Sequence, residues 1–389
     1  MDVALCYETV IPARGGCQTY ISDLSRRLAR DGHTIHLYAR RWEPSALPAS
    51  LHYHRIDPPR GPRFVRPWRF AAACATALAN ARHDVSIGFD KTWGQDVLYP
   101  QGGLHAATVD HNVLKYRNRT TRALARFVKR FDPATLSFSL LERKQYLGPN
   151  QPIVVANSRM VRDHFEHYYG VPRDSIRVVP NAIDPLRFSA DDRPKRRMAE
   201  RVTWGVPPDE PVGLFVATNY RLKGLAQLLR AAATISKDRR FALAVVGNPK
   251  FEPYRRLARR LGIESKIKFL GFRPDPKDAY FAADFLVHPT FYDPCSLVVL
   301  EALACGLPVV TTRYNGASEM LTPPTNGLVV ADPHDAAELG SGIRNMLDAT
   351  YRSAASRAAR SAAANWTFEH HYRTLLDVFA DVRSLKRAA

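Results

Sequence analysis

Val3-Ala4-Leu5-Cys6-Tyr7, then Gly15-Gly16, then Ile21, Leu24 and Leu28, then Thr34-Ile35-His36-Leu37-Tyr38-Ala39, is the stretch that decides the fold class. The first run is short, apolar and β-branched enough to be a buried strand. Spacings of three and four place Ile21, Leu24 and Leu28 on one face of a helix. Asp31-Gly32 ends that helix, and the chain returns as a second strand. The result is a βαβ unit with its glycines where strand meets helix.

Working outward, Val85 to Phe89 and Ile153 to Ala156 read as later strands of the same sheet. A second series follows at Val212 to Ala217, Phe241 to Val246, Ile267 to Leu270, Phe285 to Pro289 and Val309 to Thr312. Strands alternating with helical stretches are the pattern of α/β proteins with parallel sheets. The expected organisation is a first domain over 1–175, a second over 176–368, and a C-terminal helix, 369–389, packed back on the first. The polar stretch near 189–211, with Arg193-Pro194-Lys195-Arg196-Arg197, reads as a linker region.

With 389 residues, 46% hydrophobic and 24% charged, the chain suits two folded domains rather than disorder. No apolar run approaches the ~20 residues that span a bilayer. No signal peptide is evident at the start, and a cytoplasmic location is expected. The five cysteines (Cys6, Cys17, Cys74, Cys295 and Cys305) form no C-x-x-C pair and suit a reducing compartment. A net charge of +19 favours anionic partners, whether acidic lipid, phosphorylated substrate or nucleic acid.

The chemistry concentrates in the run from His288 to Pro308, which contains Asp293-Pro294-Cys295-Ser296-Leu297 and Glu301. A strand ends, a loop carries an acid, and an apolar helix follows until Gly306 and Pro308. The amide end of such a helix suits a diphosphate. If the intervening chain is helical, Asp293 and Glu301 stand about 12 Å apart, near the length of a nucleotide sugar. Asp293 before Pro294 reads equally as a helix N-cap. Glu301, a lone acid in an apolar helix, needs a partner to offset its burial.

This run resembles the E-x7-E signature of the retaining glycosyltransferase family 4, whose members have the two-domain GT-B fold. Other pieces agree in order: Arg14-Gly15-Gly16, Val154 to Ser158, Tyr169-Gly170-Val171-Pro172, Val178 to Asp184, Lys223-Gly224, Val245-Val246-Gly247, Phe269-Leu270-Gly271, and Asn315 to Glu319. The branch most similar is that of lipopolysaccharide core glucosyltransferases. The resemblance implies two Rossmann-like domains facing across a donor-binding cleft. It implies Lys223 on the donor diphosphate, Glu301 on the ribose and Asp293 on the hexose. Pro294, Cys295, Ser296 and Leu297 would line the donor, Gly15 and Gly16 would admit the phosphates, and Gly271 and Phe272 would meet the base. His105, after Val97-Leu98-Tyr99, takes the place of the family histidine that contacts the transferred sugar; a structural role in its glycine loop is the alternative. The first motif acid is Asp rather than Glu, one methylene shorter. Thr218 stands where the family carries a phosphate-binding arginine, for which Arg221 is a candidate substitute.

No D-x-D element is placed to carry Mg²⁺ and no His/Cys cluster has metal spacing along the chain, so no metal or other cofactor is expected. The resemblance implies retention of anomeric configuration. With no carboxylate standing out as nucleophile, a same-face path is expected. Lys115 to Phe131 holds many basic residues and no acid, with Leu124, Phe127, Val128 and Phe131 on one helical stripe. It reads as a membrane-surface helix, or else as a helix packed on the first domain. Arg60, Arg63, Arg66 and Arg69, with Phe64, Trp68 and Phe70, form a second basic and aromatic stretch. The expected acceptor is a phosphorylated or lipid-linked glycan at the cytoplasmic membrane face, and the expected donor UDP-glucose. A nucleotide-sugar epimerase, a catalytically degenerate scaffold and a nucleic-acid-binding protein are the alternatives.

Overall fold

The computed structural model describes every residue except 13–14, 60, 149–150, 190–191 and 389, so Arg14 and Arg60 lie outside the described residues. Two compact units divide the chain. The first comprises Met1–Val113, Asn118–Pro180 and His371–Ala389, the second Leu114–Arg117 and Asn181–His370.

In the first unit the chain runs β1 (Asp2–Cys6), β2 (Thr9–Val10), α1 (Gly16–Arg30), β3 (Thr34–Ala39), β4 (Arg41–Trp42), β5 (His52–Arg55), α2 (Arg66–Ala79), β6 (Val85–Phe89) and β7 (Val97–Tyr99). Then come α3 (His105–Asn112), α4 (Arg119–Arg130), α5 (Pro133–Tyr146), β8 (Ile153–Ala156), α6 (Arg159–Tyr169) and β9 (Ile176–Val178). Seven strands form one parallel sheet in the order β5-β3-β1-β6-β7-β8-β9, while β2 and β4 form a separate short ladder. The expected boundary at 175 comes too early, because β9 pairs with β8 through Val154 to Ala156 and so belongs to this sheet.

The second unit contains α7 (Arg193–Trp204), β10 (Val212–Ala217), α8 (Leu225–Ile235), β11 (Ala242–Gly247), α9 (Glu252–Arg260), β12 (Ile267–Gly271), α10 (Lys277–Ala282) and β13 (Phe285–His288). It continues with α11 (Leu297–Ala304), β14 (Val309–Thr312), β15 (Gly327–Val330), α12 (Ala336–Leu347) and α13 (Ala349–Ala363). Its parallel sheet has the order β12-β11-β10-β13-β14-β15, which is the dinucleotide-fold order 3-2-1-4-5-6. Alternate residues of β10 face opposite cores. Leu214 packs with Tyr280, Leu300 and Ala359 on one side, and Phe215 with Leu228, Ala258 and Ile343 on the other. Helices thus cover both faces, as the apolar strands require. The last helix, α14 (Phe368–Ala388), joins the first unit from His371, whose ring bonds the Pro180 carbonyl at 2.7 Å and the Tyr20 hydroxyl at 2.8 Å.

The described part of the expected linker near 189–211 is instead built into the second unit, with Trp204 and Val206 in its core. Arg201 on α7 is buried and donates to Asp284 Oδ2 at 2.7 Å, while Arg197 donates to Asp284 Oδ1 at 2.7 Å. Arg201 also donates to the carbonyls of Ala282 (2.9 Å), Pro208 (2.8 Å) and Glu210 (2.9 Å). Two of the basic residues in the supposed linker, Arg197 and Arg201, thus share one carboxylate at the foot of β13, and Arg196 pairs with Asp278, partners far away in sequence.

Candidate active site

Strand order reverses between β10 and β13 in the second unit, and ligands of open α/β sheets bind beyond the strand C-termini at such a point. The loop after β10 carries Lys223 and the loop after β13 carries Asp293. Their side chains meet there: Lys223 Nζ donates to Asp293 Oδ2 at 2.7 Å and to the Tyr292 carbonyl at 2.9 Å. His288, the last residue of β13, lies 3.5 Å from the same carboxylate oxygen. Burial alone would raise the Asp293 carboxyl, but the Lys223 ammonium and His288 outweigh it and hold the group far below the ordinary carboxylate range. Burial pushes the His288 ring down, so it is neutral near pH 7.

Backbone close approach fixes this pair. Gly224 follows Lys223 with φ +79°, and a Cβ there would fall 2.1 Å from the Pro289 carbonyl oxygen. Only glycine lets the two loops touch at this place. On the other side, Asp293 N–H donates to the Tyr314 carbonyl at 2.9 Å, and Gly316 N–H donates to the Asp293 carbonyl at 2.8 Å. Asn315 Oδ1 accepts from Ser296 N–H at 3.3 Å and from Ala317 N–H at 3.1 Å.

The helix of the motif is shorter than expected. It begins at Leu297 with Ser296 at its N-cap, so Pro294 is not its first residue and Asp293 does not cap it. The 12 Å separation expected from a continuous helix therefore does not apply. Asp293 sits in a bridge to Asn315 instead. Cys295 is buried, and its carbonyl accepts from Asn181 Nδ2 at 2.9 Å. Glu301, one turn into α11, is half-buried, and its Oε2 accepts from the Tyr280 hydroxyl at 2.5 Å. Burial pushes its carboxyl up to about 7, with the Tyr280 bond pulling the other way.

Of the remaining expected residues in this unit, Gly271 ends β12 with φ +67°, and Phe272 beyond it is 57% exposed. Arg221 is exposed, with its guanidinium 4.7 Å from the Tyr116 ring centre. Sequence reading gave no role to His288 or Asn315, which it quoted only as the first residues of motif runs, and did not mark Tyr280. A histidine ending the strand that leads into the motif was a signal for the first and the run Asn315 to Glu319 for the third; Tyr280 acts through a contact that leaves no local pattern.

Gly15, Gly16 and His105 belong to the first unit. Gly15 is the N-cap of α1, and His105 opens α3. His105 lines a pocket of about 540 Å³ with Asp90, Lys91, Glu142 and Gln145. This pocket lies at the sheet's own reversal point, between the ends of β1 and β6. Glu142 holds the N-terminus of α3 by accepting from the N–H groups of His105 and, at 3.1 Å, Ala106; Tyr169 donates to it at 2.6 Å. Burial, then Lys91, lowers the His105 ring to about 4, and its Nε2 has no hydrogen-bond partner among the described residues. A neutral imidazole with a spare polar atom suits a hydroxyl-bearing ligand.

Two parallel dinucleotide-type units, with an acid–lysine pair at the reversal point of the second and a further acid in the helix that follows, fit a sugar-transferring enzyme of the GT-B class. The family described as Glycosyltransferase Family 4 matches residues 14–187, and the one described as Glycosyl transferases group 1 matches residues 197–364. The chain belongs to this glycosyltransferase family. It is 26% identical over 349 residues to the lipopolysaccharide glucosyltransferase WaaG of Escherichia coli, covering 89% of this chain and 90% of the relative. It is 30% identical over 391 residues to a probable transglycosylase of Burkholderia thailandensis, covering 96% and 95%. The crystal structure of WaaG superimposes with a TM-score of 0.78 at 23% identity over 97% of this chain and 99% of that one. A structure of Anabaena HepE in complex with UDP and glucose superimposes with a TM-score of 0.68 at 19% identity, over 98% and 99%.

Proposed function

We propose that this glycosyltransferase moves a hexose, glucose from UDP-glucose, onto a phosphorylated or lipid-linked glycan of the lipopolysaccharide-core kind, with retention and without a metal at the donor. The observation that carries this reading is the Lys223–Asp293 pair at 2.7 Å, at the second unit's reversal point, with Glu301 following in α11. An ammonium has three N–H donors, and two serve Asp293 and Tyr292. The third is the one offered to the departing diphosphate, with the dipole of α11 beside it. Both contacts to Asp293 fall on Oδ2, which leaves Oδ1 for a sugar hydroxyl. Glu301 would hold the ribose, and Gly271 and Phe272 the base. In the first unit, His105 would accept a hydroxyl within its pocket.

In the reaction the bond from the anomeric carbon to the diphosphate oxygen breaks, with its electron pair leaving on the diphosphate. The acceptor oxygen attacks the same face, and its proton passes to the departing phosphate oxygen. The charge that builds on the leaving group is what Lys223 is placed to meet.

The helix α4 supports a membrane-surface acceptor. Leu124, Phe127, Val128 and Phe131 are each about 60% exposed, so the stripe does not pack on the first unit. Arg119, Arg122, Arg126, Lys129 and Arg130 accompany it. No helix among the described residues is long and apolar enough to cross a membrane. We place the enzyme on the cytoplasmic face of the inner membrane, held by this stripe and its charge. A transfer assay with UDP-glucose, chelator and a truncated core glycan tests the reading. Product carrying an α-linked glucose is expected, whereas an absolute need for added divalent metal, or inversion at the anomeric carbon, contradicts it.

A further inference from the structure

The first unit carries a second cluster of titratable side chains, at the opposite end of its sheet from the His105 pocket. On one sheet face α2 covers Ala4, Cys6 and Tyr38 with Phe70, Cys74 and Leu78, and then ends at Ala79. The same face carries Asp2 on β1, His36 on β3, and His52 and His54 on β5; the parallel register sets His36 beside Ala4 and His52, two residues further along than Asp2. The chain leaving α2 brings His83 onto this uncovered end, with its ring centre 4.6 Å from that of His36.

We propose that Asp2, His36 and His83 bind one divalent transition-metal ion, zinc fitting best. Asp2 Oδ1 lies 3.0 Å from His36 Nε2 and 3.1 Å from His83 Nδ1, and one ligand atom from each of the three residues falls within 4.8 Å of the others. Zinc bonds of about 2.0–2.1 Å in tetrahedral geometry put ligand atoms roughly 3.3 Å apart, so the three are spaced for one ion. The outer ring nitrogens are also fixed. His36 Nδ1 lies 2.8 Å from His54 Nε2, and His83 Nε2 lies 2.9 Å from the Tyr38 hydroxyl. Such outer bonds set the tautomer and aim the ligating nitrogen, as at built metal sites. The His83 side chain is 6% exposed and that of Asp2 41%, so the site is anchored yet open to ions from solvent.

The ligands come from the start of β1, from β3 and from the lead-in to β6. The ion would tie three adjacent strands together, far along the sheet from Asp90 and Lys91. Its role is to staple the first unit, and it takes no part in the transfer chemistry.

Untagged, chelator-stripped protein titrated with zinc chloride in a calorimeter tests this, with Co²⁺ and its visible absorption as a second probe. One equivalent is expected to bind saturably and to raise the melting temperature. His36→Ala and His83→Ala are expected to bind at least ~100-fold more weakly, and Tyr38→Phe roughly tenfold more weakly at unchanged stoichiometry. His167→Ala, at an exposed position of helix α6, is expected to bind as the unaltered protein does. Asp2→Asn, at a half-exposed position, keeps the fold and decides the matter if the histidine variants do not fold. Absence of saturable binding by the unaltered protein, or full affinity in Asp2→Asn, overturns the proposal.

Discussion

Lys223 and Asp293 stand seventy residues apart in sequence and 2.7 Å apart in space, because the strands that precede them, β10 and β13, are neighbours where the second sheet reverses its order. The pair does two things in this account. It keeps an ammonium beside the departing diphosphate, and it holds the Asp293 carboxyl far below the ordinary carboxylate range.

Gly224 sets the position of that ammonium. Gly224→Ala places a methyl 2.1 Å from the Pro289 carbonyl oxygen in a backbone conformation that alanine resists. The loops must part, and the account expects destabilisation of about 1–3 kcal/mol. It also expects kcat/KM to fall at least ~10-fold, more than the loss of folded protein explains. Thermal melts and steady-state kinetics on the same preparation check this.

Glu301 gives the enzyme a pH signature. Its carboxyl is raised from 4.5 to about 7 in the folded protein, so folding favours the protonated form. The resulting stability is fully present below pH 4.5 and is lost as pH rises through 7. Donor binding runs the other way, because ribose hydroxyls donate to the ionised form. UDP-glucose affinity should rise between pH ~6 and ~8, and Glu301→Gln should flatten both trends. The nucleotide sugar is the right probe, since the terminal phosphate of free UDP titrates in the same range.

Arg201 tests the reassignment of the supposed linker. Removing it leaves Asp284 with the more exposed Arg197 and the Val212 N–H, and four backbone carbonyls lose a donor. Arg201→Ala should cost about 3–5 kcal/mol of stability while leaving KM for the donor unchanged in the folded fraction. Urea unfolding followed by kinetics below the transition measures both.

The sequence made the α/β alternation legible because buried parallel strands are short apolar runs, and it marked Lys223, Asp293 and Glu301 through their spacing and resemblance. It hid what depends on partners distant in the chain. The stretch near 189–211 read as a linker because Asp284, the partner of Arg197 and Arg201, lies beyond three strands and three helices. Asp293 looked like a cap because nothing local shows that the helix waits until Leu297. Tyr280 is an ordinary core aromatic until Glu301 is found beside it. Asp2, His36 and His83 follow no ligand spacing at all, since the adjacency of β3, β1 and β6 in the sheet, not sequence proximity, brings them together.

The exposed stripe of α4 should matter on membranes and not in solution. Phe127→Ser with Phe131→Ser is expected to lower binding to vesicles containing anionic lipid by at least ~10-fold while leaving donor affinity intact. Co-sedimentation with vesicles, with and without anionic lipid, measures the change.

The most direct test of the account is calorimetric titration of UDP-glucose into the protein with EDTA present, repeated on Lys223→Ala, Asp293→Asn and Glu301→Ala. Saturable binding without metal is expected, weakened at least ~10-fold in each variant while the melting curves show folded protein. Binding that appears only when a divalent ion is restored, or that survives all three substitutions unchanged, would contradict a donor site built on Lys223, Asp293 and Glu301.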